Sequence, residues 1–177
     1  MSRFWIALLI GLSCAPVFAA GYLSYRDGAE EYDRGNYAAA FATFQRLAEG
    51  GDARSQNALG QMYFLGESTR QDHATAAMWF RRAGNQGIAS AQLSLANMYV
   101  RGQGVPESLI DAYMWYSLSG AFASGENEKL LALVYRDQIT RRMKAVDRKE
   151  AQHRACAWWR NHRLLPPRPA VADCAAW

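Results

Sequence analysis

Three histidines and three cysteines are the residues best suited to hold a metal or attack a substrate, and their spacing serves neither purpose. His73, His153 and His162 are scattered, with no other ligand type at a metal-binding interval. The chain has no Ser-x-x-Lys, His-Glu-x-x-His, Cys-x-x-Cys, phosphate-cradling glycine loop or nucleophile elbow. No catalytic residue, metal or cofactor is therefore expected, and the histidines are read as surface residues. Two other groups are suited to binding. Asn57, Gln61 and Phe64, with Leu93, Asn97 and Val100 thirty-six residues on, offer amides beside apolar side chains. Such a row matches an extended protein or peptide segment, and it equally matches an ordinary exposed helix face. Arg141, Arg142, Lys144, Arg148 and Lys149, followed by Arg154, Arg160 and Arg163, concentrate positive charge. They are read first as a solvated face of amphipathic helices, and the competing reading is a patch for an anionic polysaccharide, a membrane surface or an acidic protein.

The elements that must position these residues emerge when the sequence is slid along itself. An ungapped shift of 36 residues lays Ala53 on Ala89, Gln56 on Gln92, Leu59 on Leu95 and Met62-Tyr63 on Met98-Tyr99. The same shift matches Gly66 to Gly102, Ala76 to Ala112, Met78-Trp79 to Met114-Trp115 and Gly84 to Gly120. A fixed period of this length marks a solenoid, whose units bury their apolar faces by stacking. A degenerate copy precedes them, with Tyr32-x-x-Gly35 and Ala40-x-x-x-Phe44-x-x-Leu47 joined by a connection five residues shorter.

Inside each copy the apolar spacing is helical. Leu59, Met62 and Tyr63 share one side of a first helix, and Ala76, Trp79, Phe80 and Ala83 share one side of a second. Asp72 and Ser108 stand where a second helix needs an N-cap, and Gly84-Asn85-Gln86-Gly87 supplies an exit from one. Small residues such as Gly60, Ala76 and Ala83 allow close approach, and Trp79 and Trp115 are read as core.

These residues resemble Sel-one-like repeats, a subclass of the tetratricopeptide helix pairs. The first full copy keeps Leu59-Gly60, Tyr63, Gly66, Asp72, Ala76, Trp79, Ala83 and Gly87, with Ser68-Thr69 where Gly-Val is usual. The second keeps Leu95, Tyr99, Gly102, Gly104-Val105, Ala112 and Trp115, with Ala96 for the glycine and Ser108 for the aspartate. The resemblance implies an all-α, right-handed solenoid of antiparallel helix pairs, closed by C-terminal capping helices and holding a protein partner. It also implies envelope roles, and some cysteine-rich relatives are linked to β-lactam binding or hydrolysis. Those relatives staple each repeat with a disulfide, whereas this chain has no Cys within residues 20–155. A non-enzymatic scaffold is the expectation.

The two ends add a compartment. Arg3 precedes an apolar run from Phe4 to Ser13, and Val17-Phe18-Ala19 places small or modest residues before a cleavage point, the pattern of a signal peptide over residues 1–19. The run is about half of the ~20 residues a membrane span needs. An uncleaved anchor and a lipoprotein at Cys14 are the competing readings; Gly11 occupies the place a lipobox gives to Leu. A periplasmic or secreted chain would keep Cys156 and Cys174, expected as a disulfide and otherwise as two buried thiols. Nucleic acid is not an expected partner in that compartment.

The expected layout is a solenoid over residues 20–125, containing a degenerate repeat at 27–51 and full repeats at 52–87 and 88–123. Basic capping helices follow at 126–163, then an extended Pro-rich tail at 164–177. Residues 20–125 carry a net charge of −2 and residues 126–177 a net charge of +5. Within the capping segment, Leu130, Leu131, Val134, Ile139 and Met143 read as one apolar stripe, and Asp147 to Glu150 as a capping box opening a further helix.

Overall fold

A computed structural model describes residues 23–162, and in them eight helices and no strand. The expectations for residues 1–19, for Arg163, for the tail and for Cys174 lie outside the described residues. The helices are α1 (Tyr25–Asp33), α2 (Tyr37–Glu49), α3 (Ala53–Leu65), α4 (His73–Asn85), α5 (Ala89–Arg101), α6 (Leu109–Phe122), α7 (Glu126–Thr140) and α8 (Ala145–Asn161). Consecutive helices from α1 to α7 pack pairwise, giving a solenoid of helix pairs, and α8 packs on α6.

The first two hairpins close on an aromatic ring laid against backbone that lacks a side chain. A Cβ on Gly28 would stand 2.6 Å from the Phe44 ring, and one on Gly60 2.8 Å from the Phe80 ring. Ala96 and Tyr116 occupy the equivalent places one period later, and both are buried. Hairpins are then stitched to one another by buried amides. The Gln56 side chain donates to the Ala48 carbonyl at 3.1 Å, and Gln92 donates to the Gly84 carbonyl at 2.8 Å. Both carbonyls lie in the last turn of a helix, where no intrahelical donor is left for them. The indoles of Trp79 and Trp115 are 7% and 4% exposed, which places them in the core.

The longer connections are built alike. Gly66 and Gly102 end α3 and α5 in the left-handed conformation, and the amides of Asp72 and Ser108 donate back to the carbonyls of Tyr63 and Tyr99. The Asp72 carboxylate then accepts from the amides of Ala74 and Thr75, and the Ser108 hydroxyl from that of Asp111. The Thr75 hydroxyl also donates to Asp72 Oδ2 at 2.6 Å, and this bond first, then the Thr75 amide, holds the Asp72 carboxyl below its usual range. Gly104, at φ +68°, presses its α-carbon onto the start of α4, where a Cβ would meet the His73 backbone at 2.3 Å. Ser68, one period earlier, takes the same left-handed conformation at φ 60° without being glycine.

Two expectations for the C-terminal helices are corrected. Helix α8 starts at Ala145 with Lys144 as its N-cap, so Asp147 sits in the first turn and caps nothing. Burial of Met143 fixes the turn after α7, and Arg148 anchors it by donating to the Met143 carbonyl at 3.0 Å, so the helix starts at once. The apolar stripe also divides. Ile139 and Met143 are buried, while Leu130, Leu131 and Val134 are 62%, 41% and 42% exposed. At 100° per residue these three fall on the flank of α7 opposite Ala132 and Ile139, and α6 covers only the latter flank.

Gly104→Ala has no room to relax against backbone and should lose roughly 2–3 kcal/mol in urea unfolding. Ser68→Gly should gain roughly 0.5–1 kcal/mol in the same assay, because it relieves a left-handed side-chain residue.

Candidate functional site

The first helices of the pairs leave two hollows on either side of Gln61. One, of about 150 Å³, lies between α1 and α3 and is lined by Tyr25, Tyr32, Asp33, Ala58 and Gln61 among others. The other, of about 420 Å³, runs between α3 and α5 and is lined by Gln61, Phe64, Leu65, Ser94, Asn97 and Arg101, with Phe80, Met98 and Gln103. Leu65 is 57% exposed, and Arg101 is the one charged residue in this lining. Arg101 is exposed and makes no ion pair among the described residues. The groove thus offers amides and hydroxyl at its walls, an aliphatic and an aromatic side chain, and one unneutralised cation.

Of the six residues proposed from sequence for partner binding, Gln61, Phe64 and Asn97 come together in this groove. Asn57 is half-buried, and its carbonyl oxygen is buried without a hydrogen-bond partner among the described residues. Leu93 and Val100 pack against the core. Sequence reasoning missed Leu65 and Arg101. They stand one period apart, at the exposed C-terminal ends of α3 and α5, and equivalence across the repeat is the signal that could have found them.

Two tyrosines pin this face. The Tyr116 hydroxyl donates to Asn97 Oδ1 at 2.6 Å, which fixes the amide from behind. The Tyr32 hydroxyl donates to Glu67 Oε2 at 2.7 Å, tying α1 to the connection that follows α3. The bond to Glu67 pushes the Tyr32 phenol up to about 12, and burial does the same to Tyr116.

The basic cluster surrounds the turn between α7 and α8. Arg141, Lys144 and Lys149 are exposed and unpaired among the described residues. Arg142 reaches Glu107 at 3.6 Å, and Arg148 is occupied with the Met143 carbonyl. Arg154 bonds both Glu150 and Asp111 at 2.8 Å, which holds its guanidinium more firmly protonated and ties α8 to α6. Cys156 is buried on α8. Among the described residues no group of three His, Cys, Asp or Glu side chains is placed to hold a metal.

Comparison with known proteins agrees with this architecture. The family model described as Sel1 repeat matches residues 53–88 and 89–121. A protective antigen of uropathogenic Escherichia coli with an SLR fold is similar in structure, with a TM-score of 0.69 and 23% identity. The similarity covers 84% of this chain and 33% of that one. A Sel1 repeat protein from Oxalobacter formigenes is similar at a TM-score of 0.60 and 22% identity, over 80% of this chain and 55% of that one. The chain therefore spans a third to just over half the length of these relatives, and at such identity they speak for the fold alone. No curated protein matches the sequence.

The tyrosine bonds have a pH signature. Neutral phenols are favoured in the folded state, so the stability they contribute is complete below their unfolded value near 10.0 and is lost as pH rises through about 12. Urea unfolding at stepped alkaline pH should show a shallower decline for Tyr32→Phe and for Tyr116→Phe than for the wild type.

Proposed function

We propose that this chain, a Sel1-repeat protein, acts as an exported, non-enzymatic adaptor that holds a segment of a partner protein between α3 and α5 in the cell envelope. Sel1 repeats generally serve as protein-interaction scaffolds, and SLR folds are typically non-enzymatic. The observation that carries the reading is the α3–α5 groove, where Gln61 and Asn97 meet Phe64, Leu65 and the unpaired Arg101. Amides satisfy an extended backbone, the apolar pair accepts a side chain, and Arg101 favours an acidic residue beside it.

The apolar start of the chain, residues 1–19, supports export, and export supports a Cys156–Cys174 disulfide. The alternative is an anionic polysaccharide or membrane surface bound by Arg141, Lys144 and Lys149, whose charges are unneutralised. For these three residues, binding of the protein to neutral and to anionic vesicles distinguishes the two readings. The third, a β-lactam-binding or hydrolysing enzyme, is the least supported.

A photo-crosslinking residue in place of Gln61, introduced in native cells, should trap a discrete envelope protein, whereas one on the far side of α4 in place of Arg82 should not. Leu65→Glu or Arg101→Glu should lower that yield by roughly tenfold, equivalent to about 1.4 kcal/mol. Equal yields from both positions, or yields indifferent to these substitutions, would refute the groove. Independently, the unreduced protein recovered from the envelope should show no titratable thiol, and two free thiols would overturn the disulfide.

A further inference from the structure

The two hollows on either side of Gln61 each hold one charge, and the charges are of opposite sign. Gln61 lines both hollows, so they meet across α3. Asp33 is the one charged residue in the lining between α1 and α3, as Arg101 is in that between α3 and α5. Both side chains are exposed, and neither makes an ion pair among the described residues. The charges around them are engaged elsewhere. Arg34 pairs with Glu30 at 3.3 Å and with Glu31 at 2.6 Å, and Arg26 pairs with Glu30 at 2.9 Å. The Arg54 guanidinium lies over the Tyr25 ring at 5.0 Å, at the other end of α1 and about 12 Å along its axis from Asp33. Glu67 and Arg70, both on the connection after α3, are of opposite sign. Beyond Arg101, Asp137 contacts Arg136 at 3.3 Å. Helix α1 with Arg34 thus bears four carboxylates against two guanidiniums, a net charge of −2, while Arg101 is the only charged residue of α5. Arg101 ends its helix where the macrodipole favours a cation. Asp33 ends α1, where the same dipole repels a carboxylate, and it stands there unpaired.

We propose, on the reading that the α3–α5 groove holds a partner segment, that this segment continues over α3 into the smaller hollow and is bipolar. It places an acidic residue beside Arg101 and a basic residue beside Asp33, about six residues away. Packed helices stand about 10 Å apart, which puts about 20 Å between α1 and α5, and an extended chain rises about 3.3 Å per residue. Gln61, midway, pairs with the backbone as it crosses. Tyr25, Tyr32 and Phe44 line the smaller hollow and give the stem of a Lys or Arg an apolar wall while its head reaches Asp33. A segment of one sign throughout meets repulsion at one end, so the pair of charges selects against it.

The test is selection of a random peptide display library on the protein purified from the envelope, with Asp33→Arg and Arg101→Glu selected in parallel. Peptides carrying a basic and an acidic residue about six positions apart should be enriched roughly tenfold over peptides of a single sign on the wild type. Asp33→Arg should turn the preference to peptides with two acidic residues, and Arg101→Glu to peptides with two basic ones. Misfolding cannot produce such a change of sign. Asp33→Arg should also melt no lower than the wild type, since it removes an acid from the end of a helix. Enrichment without a charge preference, a preference that neither substitution moves, or no enrichment of any peptide overturns the bipolar segment. If the crosslinker at Gln61 still traps an envelope protein in that case, the groove stands and only its bipolar occupant is rejected. A Gln61 position that traps nothing removes both.

Discussion

The structure depends on a ring pressed against bare backbone. In the first two hairpins glycine at position 28 or 60 lets Phe44 or Phe80 approach to a distance no side chain could share. Dispersion falls steeply with separation, so a contact of this kind depends on closeness more than on area. It also sets the interaxial distance of these two helix pairs, and through it the placement of what their first helices display. The buried glutamines act one level up. Gln56 and Gln92 satisfy helix-end carbonyls of the preceding hairpin, and a buried amide left without that partner would disfavour any other stacking. Ring and glycine thus build the unit, and the amide sets the step between units.

From these two contacts follows the division of labour between faces. Second helices give their apolar sides to the interior, as Ala76, Phe80 and Ala83 do in α4. First helices are covered on two flanks only, and the third remains for Gln61, Asn97 and Arg101. The groove between α3 and α5 is therefore a product of stacking, and its walls are held from behind by interior residues such as Tyr116. A binding surface supported in this way needs no loop to shape it, which favours a preorganised face for a partner.

The end of the array shows what happens when the ring is withdrawn. With Gln152 at the closing position, α8 has no means of seating on α7. Its two indoles instead join Trp115 and Phe122 on α6, where burying large apolar rings is strongly favourable. The last unit of a solenoid normally turns a polar face outward. Here the outward flank of α7 is aliphatic, and the polar cap has been laid along the side of the array.

Much of this was legible in the residues alone. The period of 36, the paired helices, the caps at Asp72 and Ser108 and the burial of Trp79 and Trp115 follow from local spacing, because hydrophobic periodicity and capping act within a helix or between sequence neighbours. Of the candidate site, three of the six residues read from the sequence meet in the groove, since helical periodicity gives a face but not its curvature or its neighbours. Leu65, Arg101 and the open flank of α7 were decided by which helix covers which. The stripe from Leu130 to Met143 looked continuous because apolar residues look alike in sequence whether or not a helix arrives to cover them. Only tertiary packing, in which two tryptophans drew α8 onto α6, separated the buried Ile139 from the exposed Leu131.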